Sequence, residues 1–344
     1  MAKISTLLLS AATLGLIKLT PPEYLSPLTE FLAKTHIDPQ TLLTLVSYIA
    51  SFKLITGTLS NVNSYFSWKK ENNWATDDKY DWEKEVVMLT GGSAGLGEQI
   101  AIQLAEKGVK VLVLDVNEVR EEVREKYKTI HFYRCDISDF TALSATAAEI
   151  RKDHGDPTII ILNAAIVNLG PLLSTPVERS QKLINVNLTS HIAMIHEFLP
   201  SMIKNNHGHV MFIASMCSYL SIAGLADYSA TKAGTLAYYE ALRQELRHVY
   251  KAPKVRTSIV HPTWMRTSII PFEEVEKSGD IRDQKRLFYG VEKTARVIVK
   301  KVFSGFGGRV IVPDVLPLRA MIGLRTWSIW AQESLRDHVR LIGK

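Results

Sequence analysis

Tyr228-Ser229-Ala230-Thr231-Lys232 sets a phenol and an ammonium four residues apart, which on a helix makes them neighbours on one face. A free phenol, with a pKa of about 10, is a poor base at neutral pH. A cation beside it favours the phenolate and brings proton exchange within reach. Far upstream, Thr90-Gly91-Gly92-Ser93-Ala94-Gly95-Leu96-Gly97 lies where an apolar run gives way to a helical pattern. Glycines in such a turn leave room for a pyrophosphate to approach backbone N–H groups at a helix N-terminus, where donors and partial positive charge are concentrated. The chain thus pairs a nucleotide-phosphate cradle with a group able to exchange protons.

These groups need a scaffold, and the pattern from Lys84 onward supplies one. Short apolar or β-branched runs occupy 86–90, 109–115, 130–134, 159–163, 209–215, 255–260 and 309–312. Helical stretches lie between them, including 95–107, 142–152, 177–205 and 227–250. Strands that are apolar throughout, alternating with helices, predict an α/β domain: a Rossmann-type, doubly wound parallel sheet with helices on both faces. Ligand is then expected at the carboxyl ends of the strands. The second run ends at Asp115, about 20 residues beyond the glycine turn, where a carboxylate accepts both ribose hydroxyls of NAD and repels the 2′-phosphate of NADP. NAD is the expected cofactor and NADP the second choice.

The bulk composition narrows the classes. With 344 residues, 46% hydrophobic and 22% charged, the chain can bury a large core. A net charge of +6 without a dense Lys/Arg block argues against nucleic acid and fits an anionic membrane surface. Cys135 and Cys217 are far apart, with no spacing suited to a metal site or disulfide framework.

Residues 1–80 read differently from the rest. Apolar runs at 4–19 and 42–59 are separated by Pro21-Pro22, and Lys69-Lys70 with Trp68 and Trp74 form an interfacial collar after the second run. We expect N-terminal apolar helical anchor segments here. A lysine before a short apolar core also resembles a signal peptide, but no small-residue cleavage site follows. The sequon Asn187-Leu188-Thr189 falls within a motif described below, which argues against a lumenal catalytic domain.

Taken in order, the motifs of residues 85–312 resemble the short-chain dehydrogenase/reductase family. Thr90, Gly91, Gly95 and Gly97 match its glycine turn, with Ser93 and Leu96 as neighbouring cofactor contacts. Asp136 matches the acidic residue that meets the adenine, with Ile137 beside it. Asn163-Ala164-Ala165 looks like the element that braces the sheet, with Ala165 in place of glycine. Asn187, Ser215, Tyr228 and Lys232 align with the catalytic tetrad. Pro262 through Thr267 resembles the segment beside the nicotinamide, with Thr263 where the family has glycine.

The resemblance implies a mechanism. Tyr228 exchanges a proton with the substrate oxygen, and Lys232 binds the nicotinamide ribose and lowers the Tyr228 pKa. Ser215 holds the substrate oxygen, and Asn187 fixes a water that links Lys232 to solvent. It also implies a homodimer and a mobile lid at 268–290. After the last strand, residues 315–330 are apolar with Arg319 and Arg325, which fits either a helix at a membrane surface or one packed on the domain.

The expected organisation is an anchor region at 1–80, a catalytic domain at 84–313 and an amphipathic extension at 314–344. Apolar flanks around such a core resemble the membrane-bound retinol and 17β-hydroxysteroid dehydrogenase branch. That implies a lipophilic alcohol, ketone or aldehyde as substrate: a retinoid, steroid or fatty alcohol. It also implies an endoplasmic-reticulum or lipid-droplet membrane, with the domain facing the cytosol. Two other readings fit the same residues: an NADPH-dependent carbonyl reductase, and a non-catalytic nucleotide-binding scaffold at a lipid surface.

Overall fold

Asp38 starts a long helix by accepting a hydrogen bond from the Thr41 amide at 2.9 Å, with Pro39 at the first helical position. In the computed structural model, which describes residues 4–33, 38–75, 80–265 and 289–338, this helix runs much further than the apolar stretch at 42–59. The chain divides into two compact units, Met1–Trp74 and Ala75–Lys344.

The first unit holds α1 (Ile4–Leu19), α2 (Pro22–Ala33) and α3 (Pro39–Glu71). At 1.5 Å per residue, the 33 residues of α3 span about 50 Å, more than a bilayer core. By length and composition α3 can cross a membrane. Its packing against α1 is inverted relative to a water-soluble protein. The buried residues are the small Ser10, Ala50 and Gly57, while Leu9, Leu16, Phe52 and Leu59 are each more than 60% exposed. Near the end of α3, Lys69 lies over the rings of Tyr65 and Trp68 at 5.7 and 5.3 Å.

The second unit is built on seven strands: β1 (Val86–Thr90), β2 (Lys110–Asp115), β3 (Ile130–Arg134), β4 (Ile159–Leu162), β5 (His209–Ile213), β6 (Arg256–Pro262) and β7 (Gly308–Val312). Their order is β3-β2-β1-β4-β5-β6-β7, and every pairing is parallel. All seven expected strands form, with ends shifted by a few residues at most.

Period-two alternation divides the strand residues between two cores. Met88, Leu112, Ile160 and Phe212 meet α6 (Phe140–His154), α8 (Ser190–Asn205) and α9 (Ala226–His248). Leu89, Val111, Ile161 and Met211 meet α4 (Gly95–Ala105), α5 (Glu121–Lys126) and α10 (Val291–Phe303). Ile159 to Leu162 are fully buried, and each such side chain contributes about 1.5–3 kcal/mol. The strand order reverses between β1 and β4, opening a crevice at their carboxyl ends.

The helix expected over 177–205 is in fact three pieces. α7 (Val177–Ile184) passes through a π-helical turn at Asn185–Thr189 into α8. One extra residue in the turn hardly disturbs the apolar periodicity, so the sequence pattern reads straight through it. Beyond β7, α11 (Leu316–Met321) and α12 (Ile329–His338) fold back on the domain. Leu318 and Leu324 are buried, whereas Ile329 and Trp330 are exposed.

Candidate active site

A cavity of about 440 Å³ opens along the carboxyl ends of the strands. One end is the glycine turn. Thr90 Oγ1 accepts from the amides of Asn163 and Ala164 at 3.0 and 3.1 Å. Asn163 Nδ2 returns two bonds, to the carbonyls of Thr90 and Gly91, both at 3.0 Å. The ends of β1 and β4 are thereby locked together.

This lock explains two glycines. A Cβ on Gly97 would lie 1.9 Å from the Gly91 carbonyl oxygen, and one on Gly91 would lie 2.8 Å from Ala164 Cα. Gly91 also has a φ of +67°. Room for a pyrophosphate is therefore not the only demand on these glycines, because the tight turn's own packing already requires them. The phosphate argument has separate support: Ala94 caps α4 without any side-chain acceptor, and Gly95, Leu96 and Gly97 behind it face the cavity. The first amides of α4 therefore fit a bound diphosphate.

Asp115 lines the cavity, with its two carboxylate oxygens accepting from the amides of Ser93 and Asn117, each at 3.0 Å. Ser93 does not reach the cavity; its hydroxyl donates to the Asn117 carbonyl at 2.6 Å. Its contribution is to shape the Asp115 segment. Further along, Asp136 and Ile137 line the wall, and Lys182 donates to Asp136 at 2.7 Å. Burial raises the Asp136 carboxyl, but hydrogen bonds from Lys182 and Ser138 outweigh it and leave the group below its ordinary value. Sequence reading missed Lys182, because nothing local ties α7 to the end of β3.

The other end of the cavity carries Ser215, Tyr228 and Lys232. Lys232 is 1% exposed; its ammonium donates to the Ile213 carbonyl at 2.8 Å and stands 5.5 Å from the Tyr228 ring centre. Burial pulls the amine down to about 8. Against the lowering expected from Lys232, burial pushes the Tyr228 phenol up, with the Cys217 thiol adding to the rise and the Ser215 hydroxyl opposing it. Ser215 Oγ accepts from the Cys217 amide at 3.1 Å at the start of the 3₁₀ turn Met216–Ser218. Pro262 completes the wall, while Thr267 and nearly all of the expected lid at 268–290 lie outside the described residues.

Asn187 is fully buried but does not line the cavity. Its side chain closes a two-point bridge to Ile166, accepting from the amide at 2.8 Å and donating to the carbonyl at 2.9 Å. This bridge pins the π-helical turn to the strand-end segment after β4. The buried, paired amide also leaves no room for a glycan.

The family model for short chain dehydrogenases matches residues 85–275. The chain belongs to the short-chain dehydrogenase family. It is accordingly an oxidoreductase of CH–OH groups that uses NAD or NADP.

Among its relatives, dehydrogenase RED2 of Cochliobolus heterostrophus is 36% identical over 214 residues, covering 62% of this chain and 80% of that protein. Human epidermal retinol dehydrogenase 2 is 35% identical over 191 residues, covering 54% of this chain; the match spans 62% of the human protein. A metagenomic short-chain oxidoreductase solved with NADP superposes with a TM-score of 0.57 at 24% identity, over 69% of this chain and all of its own.

Proposed function

We propose that this dehydrogenase oxidises a lipophilic alcohol with NAD, or runs the reverse reduction, using Tyr228 as the acid/base. The observation that carries the proposal is a single cavity joining the Gly95–Gly97 amides at one end to Tyr228 and Lys232 at the other. Bound dinucleotide supplies the hydride acceptor. In oxidation, the Tyr228 phenolate takes the hydroxyl proton while the carbinol C–H bond breaks and its electron pair leaves as hydride. Ser215 holds the substrate oxygen. Lys232 keeps positive charge beside the phenol, and Asn187 acts through backbone placement rather than by presenting its side chain.

Asp115 supports NAD over NADP, because a carboxylate held by two amides repels a 2′-phosphate. Two arginines of the adjoining segments are already engaged, Arg120 with Glu98 at 2.6 Å and Arg134 with Glu118 at 3.0 Å. A lipophilic substrate is supported by the apolar cluster around Tyr228, in which Cys217, Leu220, Ile222 and Leu225 pack with Leu324 of the C-terminal segment. Trp264, Met321 and Leu335 border it.

Membrane attachment through α1 and α3 supports the same reading, since such substrates partition into bilayers. The catalytic unit would face the cytosol, in keeping with two free buried cysteines and a sequon closed to glycosylation. We further propose a homodimer, the arrangement that the family resemblance implies.

The test is to incubate membranes containing the protein with NAD or NADP and a panel of retinoids, steroids and fatty alcohols while following reduced cofactor. NADH formation with at least one lipophilic alcohol is expected. A strong preference for NADP would favour the carbonyl-reductase reading instead.

A further inference from the structure

His261 is the penultimate residue of β6, its side chain fully buried, one residue before Pro262. Its ring reaches the segment that follows β5. Nδ1 lies 3.1 Å from the Ser215 carbonyl oxygen, and Nε2 lies 3.2 Å from the Tyr219 hydroxyl. A carbonyl can only accept, so Nδ1 carries the proton, Nε2 accepts and Tyr219 donates. The two rings also pack against each other with centroids 4.8 Å apart.

Ser215 and Tyr219 bracket the 3₁₀ turn Met216–Ser218, so one imidazole holds both ends of that turn. On its other side, Pro262 and Thr263 line the cavity. The ring therefore ties the serine's segment to the strand end at the opposite wall. A polar ring is costly to bury unless every hydrogen-bonding atom is satisfied, and here both nitrogens are.

We propose that His261 is a positioning residue: by bonding Ser215 and Tyr219 at once, it sets the Ser215 hydroxyl relative to Tyr228 and the cofactor-facing segment. This rests on the roles given above to Ser215 and Tyr228. Tyr219 extends the arrangement outward, beneath Arg309 at 5.9 Å, which pairs with Glu240 at 3.1 Å. Burial lowers the His261 pKa to about 4; the Ser215 carbonyl opposes this, and the Arg309 and Lys232 cations reinforce it. The imidazole thus stays neutral, keeping one donor and one acceptor across the range in which the enzyme would be assayed.

The consequence is readable at Tyr228. Its phenol is faced by the Cys217 thiol, the Ser215 hydroxyl and the Lys232 ammonium. Of these, Ser215 is held directly by His261, and its hydroxyl opposes the rise caused by burial. Loosening Ser215 should therefore raise the pH at which oxidation switches on.

The experiment compares His261→Leu, His261→Asn, Tyr219→Phe and Tyr228→Phe in the full-length, membrane-bound chain, per folded protein. His261→Leu is expected to lower kcat by about 30-fold or more, the scale of a misplaced reacting group, with dinucleotide affinity unchanged. The acid limb of its oxidation pH profile should move upward. His261→Asn, whose amide can still donate to the Ser215 carbonyl, should regain most of kcat and return the limb.

Tyr219→Phe removes one hydroxyl and keeps the ring, and it should cost a few-fold in kcat with a small shift of the limb. It carries the test if His261→Leu does not fold. Equal losses in His261→Leu and His261→Asn with an unmoved limb would mean packing alone and overturn the proposal. An unchanged Tyr219→Phe would do the same. If Tyr228→Phe stays active, the site reading itself fails and this inference goes with it.

Discussion

Lys232 holds its ammonium 5.5 Å from the Tyr228 ring centre while donating to the Ile213 carbonyl at 2.8 Å. The cation is kept beside the phenol by a backbone contact from β5, with almost no exposure to solvent. Such placement costs stability. Burial lowers the folded-state value to about 8, against the usual lysine value of 10.5. The penalty is complete below the folded value and is relieved as pH climbs from there towards the unfolded one, so this residue's contribution to stability improves with pH across that window.

Lys232→Met is therefore expected to stabilise the fold at pH 7 by roughly 2 kcal/mol, the relief of desolvation less the lost bond to Ile213. Turnover should be abolished. Denaturant titration of both proteins checks this, and a less stable Lys232→Met at pH 7 would contradict it.

Gly97 and Gly108 give a paired test of the cradle. A Cβ at Gly97 meets the Gly91 oxygen at 1.9 Å, whereas Gly108, with a φ of +77°, faces open space. Gly97→Ala should lose about 3 kcal/mol and most dinucleotide affinity, while Gly108→Ala should cost about 1 kcal/mol. Melting curves and titration with reduced dinucleotide separate the two. Equal affinities would refute the cradle assignment.

The bridge from Asn187 to Ile166 predicts a sharp response to a one-atom change. In Asn187→Asp, one oxygen can still accept from the Ile166 amide, but the other faces the Ile166 carbonyl without a proton to donate. We expect a loss of about 2–4 kcal/mol in denaturant titration at pH 7, partly recovered at low pH where the carboxyl is protonated. A neutral result would mean that the π-helical turn does not depend on this bridge.

Strand positions were legible because each run is apolar throughout and bounded by turn residues; β4, read as 159–163, ends at Leu162 and hands Asn163 to the site. Tyr228 and Lys232 were legible because they share one helix. The unread features join distant segments: Lys182 to Asp136, Asn187 to Ile166, and His261 to Ser215 and Tyr219. No local spacing encodes such contacts. Ser93 shows the converse, a motif position whose side chain turns to Asn117 once the loop is built. The second apolar run was cut short at residue 59, since Asn61, Asn63 and Ser64 interrupt the hydropathy but not the helix.

For the N-terminal unit, the expected behaviour is that of an integral membrane protein. Small residues are buried between α1 and α3 while large apolar ones are exposed. The full-length chain should stay with membranes through alkaline carbonate extraction and leave them only in detergent. Release by carbonate would refute anchoring by these helices.

The central claim, hydride transfer with Tyr228 as the acid/base, is tested most directly by single-turnover oxidation of a lipophilic alcohol by wild type and Tyr228→Phe, both saturated with NAD. Removing one hydroxyl should reduce the rate of NADH formation by about a thousandfold, within the usual contribution of a positioned acid/base, while NAD affinity stays the same. A variant that forms NADH at the wild-type rate would contradict the account.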